Sequence, residues 1–184
     1  MQAPSTVPSR RCRRRFWADR VRSGVRLGVD VGKARIGVAR SDFHGMLATP
    51  LETVARAAGD STADLDRLTV LCDELDCAEI VVGLPLSLSG GTTPSTDDAI
   101  AFAGRLAIAT GRAVRMIDER LTTVSAQAAL HTSGRAVKGS RPVIDQIAAV
   151  ILLQHALDSE ASTGNPPGIA ASELGPDPQG DYRD

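Results

Sequence analysis

One carboxylate inside an apolar strand pattern constrains this chain more than any other feature. Residues Arg26 to Asp42 read Arg-Leu-Gly-Val-Asp-Val-Gly-Lys-Ala-Arg-Ile-Gly-Val-Ala-Arg-Ser-Asp. Leu27, Val29 and Val31 alternate along one short run, and Ile36, Val38 and Ala39 fill a second. Gly32-Lys33 between them suits a hairpin turn. Asp30 is the only acid within the pattern, and a charge in a strand that otherwise reads as core is costly unless it is paired or binds a cation. Gly28, Gly32 and Gly37 leave the backbone open to close approach by a ligand. Asp30 is therefore expected to face a site. The plainer reading is an Asp that closes a turn on local backbone N–H groups.

The 184 residues suffice for one domain with a real core. Aromatics are only 3%, so that core must be aliphatic and rich in alanine. No apolar run is long enough to span a membrane, and the basic start leads into no apolar segment. Three scattered cysteines make no disulfide framework, so a cytoplasmic setting is expected.

The net charge of −1 hides an asymmetry. Eight arginines and one acid lie in residues 1–26, while residues 158–184 hold six acids and one arginine. Residues 1–24, with the run Arg10-Arg11-Cys12-Arg13-Arg14-Arg15, are expected to be a disordered basic arm. It reads either as a non-specific nucleic-acid contact or as a solvated tail. Residues 159–184, rich in Gly, Pro and acids, are expected to be a disordered acidic tail. The folded domain is then 25–158.

Within it, a third strand from Met46 to Val54 is interrupted by Pro50, which suits a sheet edge. Ser61 or Thr62 caps a helix to about Asp76, with Leu65, Leu68, Leu71, Cys72 and Leu75 on one face. Ala78 to Leu84 is a continuous apolar strand of the buried parallel kind. The Ser/Gly loop Ser87–Thr93 follows, either a connector or a lip over the strand ends where open α/β sheets place ligands. Thr93 or Ser95 caps the next helix, with Ile100, Phe102, Ala103, Leu106 and Ile108 as its apolar set and Gly111 as its stop. Ala113 to Ile117 is a fifth strand that delivers Asp118-Glu119-Arg120. Neighbouring strand residues point to opposite faces, so only one of the two acids can aim at a site. A helix from Thr122 or Thr123 to His131, a basic loop 132–141 and a last helix from Pro142 to about Asp158 complete the domain. Ile144, Ile147, Ala148 and Ile151 are the expected buried stripe of that helix. Asp145 in its first turn needs no explanation beyond the helix dipole.

The order β-β-β-α-β-α-β-α-α predicts an α/β fold: a mixed five-stranded sheet flanked by helices. Such a sheet brings Asp30, Glu119 and Asp145 near one another. Three close carboxylates repel, and a divalent cation resolves the conflict. Hard oxygen donors favour Mg²⁺ or Mn²⁺ over zinc, and two such ions can activate water against a phosphodiester.

Four segments, Asp30-Val-Gly-Lys-Ala-Arg-Ile-Gly-Val-Ala, Val82-Gly-Leu-Pro-Leu, Asp118-Glu-Arg-Leu-Thr-Thr and Asp145-Gln-Ile-Ala-Ala-Val-Ile-Leu-Leu-Gln, resemble in order the motifs of the YqgF/RuvX family. They span about residues 25–158. The family is similar to RuvC-type resolvases within the RNase H-like fold, and its members are described as Holliday junction resolvases and pre-16S rRNA nucleases. The resemblance implies catalytic, metal-binding roles for Asp30, Glu119 and Asp145, with Glu119 rather than Asp118 as the inward acid. It implies that Lys138 and Arg141 contact the nucleic-acid backbone. Arg35 and Arg120 are candidate phosphate contacts that read equally as surface salt bridges.

The leading expectation is a metal-dependent endonuclease, using Mg²⁺ or Mn²⁺, on structured nucleic acid: pre-16S rRNA, a four-way DNA junction, or both. The alternative is a non-catalytic rRNA-binding factor in ribosome biogenesis. A kinase- or actin-like nucleotide binder also opens on an Asp-x-Gly hairpin, but it needs a second such lobe. A resolvase cutting two strands would favour a homodimer; an rRNA trimmer has no such need.

Overall fold

The computed structural model describes residues 21–120 and 141–174, without the side chains of residues 141–143. Strands β1 (Val25–Val31), β2 (Arg35–Ser41) and β3 (Ala48–Ala55) form an antiparallel meander. Helix α1 (Ala63–Glu74) leads to β4 (Cys77–Leu84), and α2 (Pro94–Thr110) leads to β5 (Ala113–Asp118). The long helix α3 (Arg141–Thr163) is followed by a short strand β6 (Ile169–Ala170) and a single turn, α4 (Ala171–Leu174). The sheet order is β3-β2-β1-β4-β5-β6. β1, β4 and β5 run parallel, so their C-terminal ends share one edge.

The alternation in β1 sorts the two layers. Leu27 and Val29 join Ile36, Val38, Ile80 and Val82 in the core beneath α1 and α2, where Leu68, Phe102 and Leu106 meet them. Gly28 and Asp30 lie on the opposite face, which α3 covers with Ala149, Leu152, Leu153, Ala156 and Leu157. Local signals set the helix ends. Thr93 caps α2 in a reciprocal box with Thr96, Pro94 opens it, and Gly111 at φ +63° closes it.

Several expectations need correction. The sheet has six strands, not five, because the chain returns after α3 and Ile169–Ala170 pair antiparallel with β5. Residues 159–174 are therefore not part of a disordered tail. Arg115 donates to the carbonyls of Pro167 and Gly168, which anchors this return. The N-terminal boundary also moves. Arg22, assigned to the arm, bonds Glu79 and Glu160. Residues 1–20 and 175–184 lie outside the described residues.

The buried stripe of α3 is rotated from the expected one. Ile144 is half exposed, and the buried set is Ala149, Leu152, Leu153, Ala156 and Leu157. The helix is apolar on more than one side, so periodicity alone does not choose its face. Close approach does: a Cβ on Gly28 would lie 2.7 Å from the Leu153 Cβ and 3.1 Å from the Ala149 carbonyl. Ile108 is likewise exposed, while Thr96 and Ala99 take buried places on α2. No helix among the described residues is long and apolar enough to cross a membrane.

Candidate active site

Asp30 is the centre of a row of acids on the α3 side of the sheet. On one flank, β2 sets Gly37 opposite Asp30. On the other, β4 pairs with β1 as far as Val29 and Val82, so Gly83 is the next residue beside Asp30. Each glycine makes room for an acid. A Cβ at Gly37 would lie 1.9 Å from the Asp145 carbonyl oxygen, so the first turns of α3 rest directly on this strand. A Cβ at Gly83 would lie 2.2 Å from Glu119 Oε1. Asp145, Asp30 and Glu119 thus follow one another across β2, β1 and β4.

Strand parity separates the two acids after β5. Ile117 packs under α3, and Glu119, two residues on, points the same way. Asp118 turns aside and accepts from Arg120 at 2.6 Å, which holds its carboxyl below the usual range. The Glu119 amide donates to the Leu84 carbonyl at 3.2 Å and ties the turn to the end of β4.

Electrostatics in the row are strained in one direction. Burial, reinforced by the Asp145 charge, pushes the Asp30 carboxyl up to about 6. Burial, then the charges of Asp30 and Asp118, pushes Glu119 up to about 7. Asp145 is compensated by Arg35, whose Nε donates to it at 2.7 Å. Among the described residues, no three His, Cys, Asp or Glu side chains converge into a ready metal cluster. The donor set still suits a hard cation. Every member is a carboxylate, and no cation among the described residues pairs with Asp30.

Arg35 and Arg120 therefore both sit in salt bridges, the second of the two readings given above. Lys138, the helix after Thr122 and the loop 132–140 lie outside the described residues, as does the side chain of Arg141. The Ser87–Thr93 loop, a candidate lip, is a stapled turn beside the site. Ser87 and Gly91 exchange backbone and hydroxyl bonds of 2.9–3.0 Å, and the Arg120 guanidinium packs by Gly90.

The two glycines predict different outcomes. Gly37→Ala collides with backbone, so it should destabilise the fold by about 1–3 kcal/mol in urea unfolding. Gly83→Ala meets only the end of the Glu119 side chain. It should leave stability nearly unchanged and lower turnover by displacing that carboxylate.

A protein of Clavibacter michiganensis named "Putative pre-16S rRNA nuclease" is 60% identical over 158 residues, covering 86% of this chain and 98% of its own. One of the same name from Streptomyces coelicolor is 51% identical over 150 residues, covering 81% of this chain and 89% of its own. Among solved structures, T. thermophilus RuvC in complex with Holliday junction substrate aligns with a TM-score of 0.52 at 18% identity. That alignment covers 78% of this chain and 99% of RuvC, a likeness of fold that fits the RNase H-like architecture. Residues 24–159, which hold the whole acid row, match the RuvX family, described as Holliday junction resolvase, and the chain belongs to that family.

Proposed function

We propose that this protein is a divalent-metal-dependent endonuclease that hydrolyses phosphodiesters in structured nucleic acid in the cytoplasm. The observation that carries this reading is the acid row itself. Acids from the end of β5 and from α3 flank Asp30 across two glycines without converging into one cluster, and Asp30 and Glu119 are pushed toward neutrality by burial and by neighbouring charge. Such a group gains most from a cation. One or two Mg²⁺ or Mn²⁺ ions held there would neutralise the carboxylates and supply an acidified water for in-line attack on phosphorus.

The chain's own part is positioning. Asp30 is held by its pairing with Gly37 of β2, one residue past the point where β1 is paired on both sides. Glu119 is aimed by strand parity and by its amide bond to Leu84. Asp145 is steered by Arg35. A rotamer change that releases Asp145 toward Asp30 would free the Arg35 guanidinium for a substrate phosphate. Lys138 and Arg141 remain proposed backbone contacts.

The names of the relatives favour precursor 16S rRNA as substrate, and the family description adds four-way DNA junctions. The junction would call for a two-fold dimer, because two strands must be cut. One observation favours the non-catalytic rRNA-binding alternative: Asp145 is already satisfied by Arg35. The deciding experiment presents both substrates to wild type and Asp30→Asn in Mg²⁺ and in Mn²⁺. Cleavage of at least one substrate by wild type only is expected. Binding without cleavage in either metal would leave the binding-factor reading in its place.

A further inference from the structure

The cations around the acid row are not equivalent. Arg35 holds Asp145, and Arg120 holds Asp118. Lys33 differs from both. It lies on the three-residue connection between β1 and β2, is exposed, and takes part in no ion pair among the described residues. Two residues, Val31 and Gly32, stand between it and Asp30, so the two backbones are at most about 10 Å apart. Its ammonium can thus reach a phosphate flanking one that lies over the acids.

A cation on a hairpin tip would ordinarily be mobile, but this tip is held from below. Arg56, just past the end of β3, donates its backbone N–H to the Ala34 carbonyl at 3.0 Å. Its side chain donates to the Gly32 carbonyl at 3.3 Å. The same guanidinium is itself locked. It grips Asp98 at the start of α2 through two bonds of 2.8–3.0 Å and faces the buried Asp64 of α1 at 3.4 Å. It also lies 4.7 Å over the Phe102 ring. Both ends of the Gly32-Lys33-Ala34 connection are thereby fixed to the helical layer. Neutralising Asp64 and Asp98 accounts for an arginine at this place. It does not account for the donor directed at Gly32.

We propose that Lys33 binds a backbone phosphate of the nucleic-acid substrate beside the acid row, with Arg56 as the positioning residue that holds its loop. The inference rests on the nuclease reading above and adds to it a substrate contact and the support behind it. An ammonium is a point charge that accepts many phosphate orientations, which suits backbone binding without base readout.

The test is a salt titration of binding in the inactive Asp30→Asn background. Two probes are used: a four-way DNA junction, and an RNA hairpin with a single-stranded 5′ extension. Lys33→Ala should weaken binding several-fold. It should also reduce the slope of log affinity against log salt, by about 0.9 on duplex DNA and about 0.7 on single-stranded RNA. Arg56→Met should reproduce part of this loss when Lys33 is present and add nothing when Lys33 is already Ala. Arg56→Lys, which keeps the cation beside Asp64, serves as the milder variant should Arg56→Met unfold. An unchanged slope in Lys33→Ala would overturn the inference. Equal losses from the Arg56 variants with and without Lys33 would reduce Arg56 to a structural role. Cleavage by wild type together with an unchanged Lys33→Ala slope refutes this contact alone; absence of cleavage in either metal refutes the nuclease reading instead.

Discussion

Asp30→Asn should abolish cleavage and, at neutral pH without metal, make the protein more stable. The Asp30 carboxyl titrates near 6 in the folded chain, against an ordinary value of 3.8. Between these values the folded state binds more protons than the unfolded state, so stability falls as pH rises through this window. Above pH 6 the full penalty is present, and a shift of this size corresponds to roughly 3 kcal/mol. Asparagine carries no charge to bury, so its variant escapes the penalty. Part of the gain is offset, because its amide must still be hydrogen-bonded. Urea unfolding in EDTA at pH 7.5 should therefore show Asp30→Asn about 1–3 kcal/mol above wild type, and the gap should close near pH 4. Adding Mg²⁺ should stabilise wild type and leave the variant unmoved, because ligand binding to the folded state adds to its stability. A variant less stable than wild type at pH 7.5 would mean that Asp30 is satisfied by local bonds, the plainer reading of its sequence context.

Glu160→Ala should be among the most destabilising single substitutions in the chain. Arg26 in β1 is 2% exposed, and Glu160 on α3 is 1% exposed. They meet at 3.1 Å, while Arg22 reaches Glu160 at 2.9 Å and Glu79 at 2.7 Å. The four charges balance at the α3–sheet interface, with Arg22 half exposed at its rim, at the far end from the acid row. Removing Glu160 leaves the buried Arg26 guanidinium with a bond to the Arg22 carbonyl at 2.7 Å and Glu79 as its one remaining carboxylate, 3.5 Å away, so a loss of about 3–5 kcal/mol is expected. Burial opposes ionisation of Glu160, but the Arg22 bonds and the Arg26 charge hold its carboxyl below the ordinary range. The contribution from that shift is present above pH 4.5 and lost as pH falls through the lowered value. Wild type should therefore lose part of its stability below that pH, while Glu160→Ala is already low at pH 7. Urea midpoints at pH 7 and pH 3.5 read both effects. A loss under 1 kcal/mol at pH 7 would indicate that Arg26 finds water or another partner.

The two ends of α3 show how much of this protein could be read without coordinates. Its existence, its start and Asp145 in its opening turns follow from composition and periodicity. Its rotation does not, because two stripes at helical spacing compete and only Gly28 and Gly37 beneath it select one. Asp30 was legible because an acid interrupts a short, strictly alternating run, a local pattern that needs no knowledge of neighbours. Glu119 over Asp118 required either the family resemblance or the position of Ile117 on the α3 face.

Arg22, Glu79 and Glu160 were not legible as a unit. They lie in three separate segments, one read as arm and one as tail, and charge pairing across 138 residues leaves no periodic trace. The sixth strand was missed for a similar reason. Two residues are too short for a pattern, and what holds them is Arg115 on β5. Order along the chain thus sets which elements form and where the acids are carried, because those depend on neighbours within a few residues. Which face is buried, which acid turns inward and which arginines are already paired depend on contacts between distant segments, and those exist only once the layers have packed.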